Sequence, residues 1–388
     1  MNFEFATATR ILFGPGRSLD AVQIIAGLGK LALVATGSNP DRASRLLESL
    51  RRAGIEPVVF PAAGEPSIAT VQAGAAVANE RGCEMVIGIG GGSALDTGKA
   101  IAALITNGGN LLDYLEVVGQ GRPLRAASAP FVAIPTTAGT GSEVTRNAVL
   151  DSPEHHVKVS LRSPRMLPAL AVIDPELTHS MPPALTACTG LDALTQLIEP
   201  FVCNSPNPMV DALCRDGIRR AAIFLPRAFV RGDDAEAREN MALAALYGGL
   251  ALANARLGAV HGLAGPIGGR VGAPHGAICA RLLPFVMEAN IRALERREPG
   301  CPVLERYREV AVLLTGKPQA TALDGVEWTY GLCRELEVKP LSVFGLSAPE
   351  IPRIAAQAQK ASSMRGNPLV LEDDELMQVL HRANGYMP

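Results

Sequence analysis

The stretch VIGIGGGSALDTGKA, residues 86–100, constrains the fold of this chain more than any other segment. An apolar β-type run meets three consecutive glycines, Gly90, Gly91 and Gly92, and then a segment with helical apolar spacing. Glycines without a Cβ let backbone N–H groups come close to a ligand. A helix N-terminus adds partial positive charge, so pyrophosphate is the natural occupant, with Ser93 as hydroxyl donor and helix cap. Ser93 stands where the G-x-G-x-x-G fingerprint ends in glycine, and the G-K-[ST] ending of a P-loop is absent. A tight strand–helix turn with no ligand would give the same pattern, so other segments must decide.

The same grammar runs through the first half of the chain. Strands are expected at 31–36, 57–60, 84–90, 131–135 and 170–175, and helices at 41–54, 67–82 and 94–106. Ser67 suits an N-cap and Gly82 a helix stop. Alternation of this kind predicts a parallel sheet covered by helices on both faces. After MPPAL (181–185) strand candidates almost vanish, and the segments at 207–229, 234–255, 303–316 and 374–384 read as long helices. The chain is therefore expected to hold a Rossmann-like α/β dinucleotide-binding domain over 1–180 and an all-helical domain over 181–388.

Composition excludes several classes. A formal net charge of −2, with no basic stripe and only 4% aromatic residues, argues against a nucleic-acid partner. No uninterrupted apolar stretch is long enough to span a membrane. The opening MNFEFATATRILFG carries Glu4 early and lacks a basic region before an apolar one, so no signal peptide is expected. Seven scattered cysteines form no CxxC pair, which suggests free thiols and a cytoplasmic protein.

Two further loops support the phosphate-binding reading. IPTTAGTGSEVT (134–145) follows a strand and offers Thr136, Thr137 and Ser142 hydroxyls among glycines. VATGSNP (34–40) ends another strand with Gly37, Ser38 and Asn39. Ligands of open α/β sheets bind at such strand ends. An acidic residue at the end of the second strand would hold a ribose 2′-hydroxyl and repel a 2′-phosphate. Gly37–Asn39 contains none, and Arg42 and Arg45 are close in sequence, so NADP is expected to be accepted as well as NAD.

In TGLDALTQLIEP (189–200), Asp192 and Gln196 lie four apart, on one face of an expected helix. His261 and His275 flank a Gly/Pro-rich connection, and each is followed by glycine. Two imidazoles and the Asp192 carboxylate would make a three-ligand site with room for substrate. Spacing alone leaves the ordinary reading open, a helix face with hydrogen-bonded structural histidines.

The segments GGGSALDTGKA, IPTTAGTGSEVT, LTACTGLDALTQLIE, HGLAGPIGGRVGAPHG and LLPFVMEAN follow one another in an order and spacing that resemble the iron-containing (group III) alcohol dehydrogenase family, over nearly the whole chain. The resemblance implies an N-terminal dinucleotide-binding domain and a helical domain in a dehydroquinate synthase-like architecture. It also implies a nicotinamide and a metal, Fe²⁺ or Zn²⁺, in the cleft between them, and often a homodimer. The family's Asp ligand falls on Asp192, and its second and third His ligands on His261 and His275. Its first His falls on Gln196, and a further His tied to substrate or proton handling falls on Gly265. Cofactor positions carry over to Gly91, Gly92, Ser93, Asp96, Thr136, Thr137 and Ser142, and a Lys near the nicotinamide ribose to Lys158. The position that holds Asp in many NAD-preferring members is Gly37.

Gln can ligate through its amide oxygen but is a neutral, weaker donor than imidazole. The expected activity is therefore an NAD(P)-dependent, metal-assisted dehydrogenase or reductase of a small alcohol or aldehyde. A metal-free keto-acid reductase resembling maleylacetate reductase, and a dehydroquinate synthase-like lyase, are the alternatives. His155, His156 and Lys158 are expected in a solvated hairpin or loop, and His381 on a surface helix.

Overall fold

The computed structural model describes residues 2–155, 157–385 and 387; His156 lies outside them. The chain divides into two compact units. One comprises Ala6–Thr137 with Gly141–His179, and the other Met1–Phe5, Ala138–Thr140 and Ser180–Pro388. Residues 138–140 group with the helical unit.

The first unit is built on a parallel six-stranded sheet. Its strands are β1 (Ile11–Phe13), β2 (Leu31–Thr36), β3 (Glu56–Pro61), β4 (Met85–Gly90), β5 (Phe131–Pro135) and, later in the chain, β8 (Leu170–Ile173). A separate antiparallel hairpin joins β6 (Asn147–Ser152) to β7 (Val157–Arg162). The sheet order is β1-β8-β5-β4-β2-β3. Period-two alternation sends Leu33, Ala35, Val86, Phe131 and Ala133 to one face, against the helices Ile68–Arg81 and Gly92–Asn107. It sends Ala32, Val34, Met85, Ile87 and Val132 to the other, against the helix Ser44–Arg52. With both faces covered, every residue of β4 and β5 is buried, so these strands read as continuous apolar runs.

Several expectations need adjustment. The edge strand β1, three residues long, is too short to leave a period in the sequence. Residues 41–43 belong to a tight turn, Pro40–Ala43, before the helix starts at Ser44. The hairpin is not simply solvated. Ala148, Leu150, Val159 and Leu161 on one of its faces join the core, and His155 sits exposed at its tip.

The second unit is helical throughout. Its first helix, Pro183–Val202, starts with proline at its first position, where the missing N–H costs nothing. Asn207 and Asp234 cap the helices Pro208–Val230 and Ala235–Asn254 with their side chains. The helices Ala259–Val271 and His275–Arg297 follow, then Pro302–Thr315, Ala322–Glu335, Ile351–Ala358 and Asp373–Asn384. Among the described residues no single helix is long and apolar enough to cross a membrane.

Candidate functional site

In the α/β unit, the chain goes from β2 outward to β3 and returns to β4 on the other side of β2, so the strand order reverses between β2 and β4. Open α/β sheets bind ligands at the carboxyl ends of the strands flanking such a reversal. The loops expected to carry the cofactor meet there. Gly90 has φ +155°, and a Cβ on it would lie 2.6 Å from the Ala94 Cβ and 3.4 Å from the Gly37 nitrogen. Only glycine fits that turn, which brings the end of β2 beside the end of β4. The Thr136 N–H donates to the Gly90 carbonyl at 2.8 Å, and a Cβ on Gly91 would touch Thr137 at 3.4 Å. Gly37, Gly91, Gly92, Ser93, Thr136 and Thr137 are thus gathered at one sheet end, with Ser38 and Asn39 exposed beside Gly37. The Asn39 side chain accepts from the Asp41 N–H at 3.0 Å, and Arg42 and Arg45 are exposed.

Ser93 does not cap the helix. Gly91, in extended conformation, is the N-cap, no side chain among the described residues caps that end, and Ser93 is already inside the helix Gly92–Asn107. The first N–H groups are therefore left for a ligand to satisfy.

Asp96 and Ser142 act on the loop itself. Asp96 accepts from the Ser142 hydroxyl at 2.5 Å and from the Val149 N–H at 2.9 Å. The buried Lys99 ammonium donates to the Ser142 carbonyl, the Ser142 and Thr145 hydroxyls and the Asn147 carbonyl, at 2.7–3.0 Å. Burial pulls the Lys99 pKa down to about 8 against the pull of Asp96 and Glu143, and burial pushes the Glu143 carboxyl up to about 7. Sequence reading missed Lys99, although its place three residues after Asp96 puts both on one helix face. Lys158 is nearly buried and pairs with Glu65 at 3.0 Å.

The helical unit brings together the residues expected to hold a metal. Asp192, Gln196 and Glu199 share one face of Pro183–Val202. His261 lies in the first turn of Ala259–Val271, and His275 opens His275–Arg297. Close helix approach depends on two glycines. A Cβ on Gly276 would sit 2.9 Å from the Cys188 carbonyl oxygen and 3.6 Å from the Asp192 Cβ. A Cβ on Gly258 would sit 2.9 Å from Glu199 Oε1. The helix that begins after Gly258 is capped from elsewhere, because the Val260 N–H donates to Glu199 at 2.7 Å and the Ala259 N–H to Asn367 at 3.1 Å.

Asp192 Oδ1 lies 3.6 Å from His261 Nε2 and 3.9 Å from His275 Nε2. These separations are too long for hydrogen bonds. Asp192 Oδ1 and His261 Nε2 are both buried and have no hydrogen-bond partner among the described residues. Two enclosed polar atoms facing one another without a hydrogen bond cost free energy unless something positive, a proton or a metal cation, lies between them. On the far side of the ring, His261 Nδ1 lies 2.6 Å from Glu199 Oε2. That contact keeps a proton on Nδ1 and turns Nε2 toward Asp192, where it carries a second proton until a metal cation takes its place. Burial alone would lower the His261 pKa, but Glu199 and Asp192 outweigh it and raise it to about 10. The field that attracts a proton also attracts a metal cation. Burial would raise the Asp192 carboxyl, yet His261, His275 and Cys279 hold it below its ordinary value.

Cys279, one turn after His275, completes a group of four donors, and the ligand atoms of Asp192, His261, His275 and Cys279 all lie within 4.8 Å of one another. This donor set fits a divalent ion. The His275 side chain is 39% exposed where Asp192 and His261 are almost fully enclosed, so the site is open on one side. Gln196 donates from Nε2 to Asp192 Oδ2 at 3.1 Å, and its buried Oε1 has no partner among the described residues. A Cβ on Gly265, one turn beyond His261, would meet nothing within 4 Å among the described residues beyond its own turn of helix. Glu199 and Cys279 were missed from sequence, though spacings of seven from Asp192 and four from His275 were there to be read.

Comparison with known proteins agrees with this geometry. Residues 8–175 match the family model for iron-containing alcohol dehydrogenase, and residues 186–384 that for the C-terminal part of the same family. The chain is 35% identical to a choline dehydrogenase of Bacillus subtilis, across 99% of this chain and 96% of that protein. It is 33% identical to a 1,3-propanediol dehydrogenase of Klebsiella pneumoniae, across 98% of each. A solved 1,3-propanediol oxidoreductase superposes with a TM-score of 0.90 at 33% identity, covering 99% of this chain and 100% of that one. These likenesses favour a dehydrogenase over the keto-acid reductase and lyase alternatives. The chain belongs to the iron-containing alcohol dehydrogenase family and is an oxidoreductase of that family's type.

Proposed function

We propose that this protein moves hydride between a nicotinamide dinucleotide, NAD or NADP, and a small alcohol or its aldehyde, with a divalent ion held by Asp192, His261 and His275. The observation that carries the reading is the facing pair of orphaned atoms, Asp192 Oδ1 and His261 Nε2, with His275 Nε2 beside them. An Fe²⁺ or Zn²⁺ ion bound there supplies a Lewis acid for the substrate oxygen. The chain's own residues do the rest. Asp192 contributes charge, and Glu199 fixes the His261 tautomer from behind. The uncapped N-terminus of Gly92–Asn107, with Gly90, Gly91 and Thr137 around it, receives the pyrophosphate. Asp96 and Lys99 hold the Ser142 segment in place from beneath. Gly265 leaves space where a side chain would narrow the substrate end, which favours a bulkier alcohol.

Glycine at 37, with Arg42 and Arg45 exposed nearby, supports acceptance of the 2′-phosphate. Titration of the protein with NADH and NADPH, followed by nicotinamide fluorescence, tests this. Comparable affinities are expected, and NADH binding tighter by about tenfold or more would refute it. Elemental analysis after purification without chelator should find Fe or Zn. Protein that takes up neither ion when both are supplied would refute the metal-assisted reading.

A further inference from the structure

The metal site of this chain has a candidate donor that the ligand positions read from sequence do not include. Cys279 is fully buried, one turn after His275 on the same face of its helix. Its Sγ lies 3.5 Å from His275 Nε2. A tetrahedral ion with bonds of about 2.0–2.1 Å to nitrogen and about 2.3 Å to sulfur spaces its donors roughly 3.3–3.6 Å apart. Three of the six separations at the site, 3.5, 3.6 and 3.9 Å, are near that spacing, and all six are within 4.8 Å.

Gln196, at the position where a ligand would be looked for, is turned to other work. Its nitrogen holds Asp192 Oδ2, and its Oε1 faces the neighbouring helix, 3.4 Å from where a Cβ on Gly248 would stand. Asp192 Oδ1 and His261 Nε2, both enclosed and both without a hydrogen-bond partner among the described residues, border the same space as the thiol.

We propose that Cys279 is the fourth metal ligand, bound as the thiolate, and that Gln196 positions Asp192 without touching the ion. This rests on the reading that the site holds a metal. On uptake the Cys279 S–H gives its proton to solvent and a metal–sulfur bond forms, with no change in oxidation state. A donor set of one carboxylate, two imidazoles and one thiolate suits Zn²⁺ better than Fe²⁺. The substrate oxygen would then add as a fifth ligand from the side on which His275 is exposed.

Cobalt substitution of the full-length protein tests this without relying on activity. Metal-free protein titrated with Co²⁺ should develop a near-ultraviolet sulfur-to-cobalt charge-transfer band as one equivalent binds. Cys279→Ser should lose the band and bind Co²⁺ weaker by at least about tenfold, the loss already felt when only an outer-shell partner of a ligand is removed. Cys188→Ser, the nearby-thiol control, and Gln196→Ala should both keep the band. One equivalent of Co²⁺ bound without the band, or a band unaffected by Cys279→Ser, overturns the thiolate ligand and leaves the metal site standing. No Co²⁺ binding overturns both. Should Cys279→Ser fail to fold, the wild-type band together with its survival in Cys188→Ser still decides the question.

Discussion

Glu199→Gln tests how much of the proposed metal site is made by a residue that would not touch the ion. In the native chain Glu199 accepts two hydrogen bonds, from the Val260 N–H at 2.7 Å and from the His261 ring at 2.6 Å. Glutamine can keep the first bond with its amide oxygen, but its NH₂ group then faces His261 Nδ1. Two donors cannot pair, so the imidazole must carry its proton on Nε2 instead. That proton occupies the lone pair that points at Asp192. Binding an ion requires the proton back on Nδ1, leaving two buried donors opposed, at about 1–3 kcal/mol, or roughly a 5- to 150-fold loss of affinity. Competition for Zn²⁺ between the full-length protein and a chromophoric chelator measures this directly. The fold should survive, because a buried charge is removed and the cap on Val260 is kept. A folded Glu199→Gln protein whose Zn²⁺ affinity stays within about twofold of the parent would refute the argument from the tautomer.

Two further outcomes follow from geometry and burial. Gly276→Ala places a methyl 2.9 Å from a backbone oxygen that cannot rotate away, so His275–Arg297 must shift off Asp192. Thermal unfolding should report about 1–3 kcal/mol of overpacking, outweighing the gain of about 1 kcal/mol in helix propensity, and metal affinity should fall with it. Glu143 has its carboxyl raised to about 7 by burial, so the folded state holds a proton that the unfolded chain releases near its ordinary value of 4.5. Its contribution is therefore fullest below 4.5 and is lost as the pH rises to 7, by at most about 3 kcal/mol. Chemical denaturation across that window should show the decline in the parent, and Glu143→Gln should flatten it; parallel profiles would contradict it.

Much of this protein is written locally. Strand runs, glycine turns and helix caps such as Ser67, Asn207 and Asp234 depend on neighbours within a turn, so they are legible in the chain, and with them the two-part architecture. Asp192, His261 and His275 could be nominated in the same way, the first on a helix face and the others beside glycines. Ser93 was misjudged as the cap because Gly91 adopts an extended conformation that starts the helix earlier, which composition does not reveal. Which atoms face one another was decided only by tertiary packing. Glu199 meets His261 across 62 positions of sequence, and Asn367 caps a helix that begins 108 residues earlier. Those pairings exist because Gly258 leaves room for the Glu199 and Asn367 side chains and Gly276 lets its helix approach the Cys188 backbone, and a burial that leaves Asp192 Oδ1 and His261 Nε2 unpaired among the described residues is a property of three helices together. The sequence by itself determined the fold class and the residue types at the site. Only the packed structure decided that Gln196 supports Asp192 with its amide nitrogen and that a thiol stands among the remaining donors, because both depend on where side chains point.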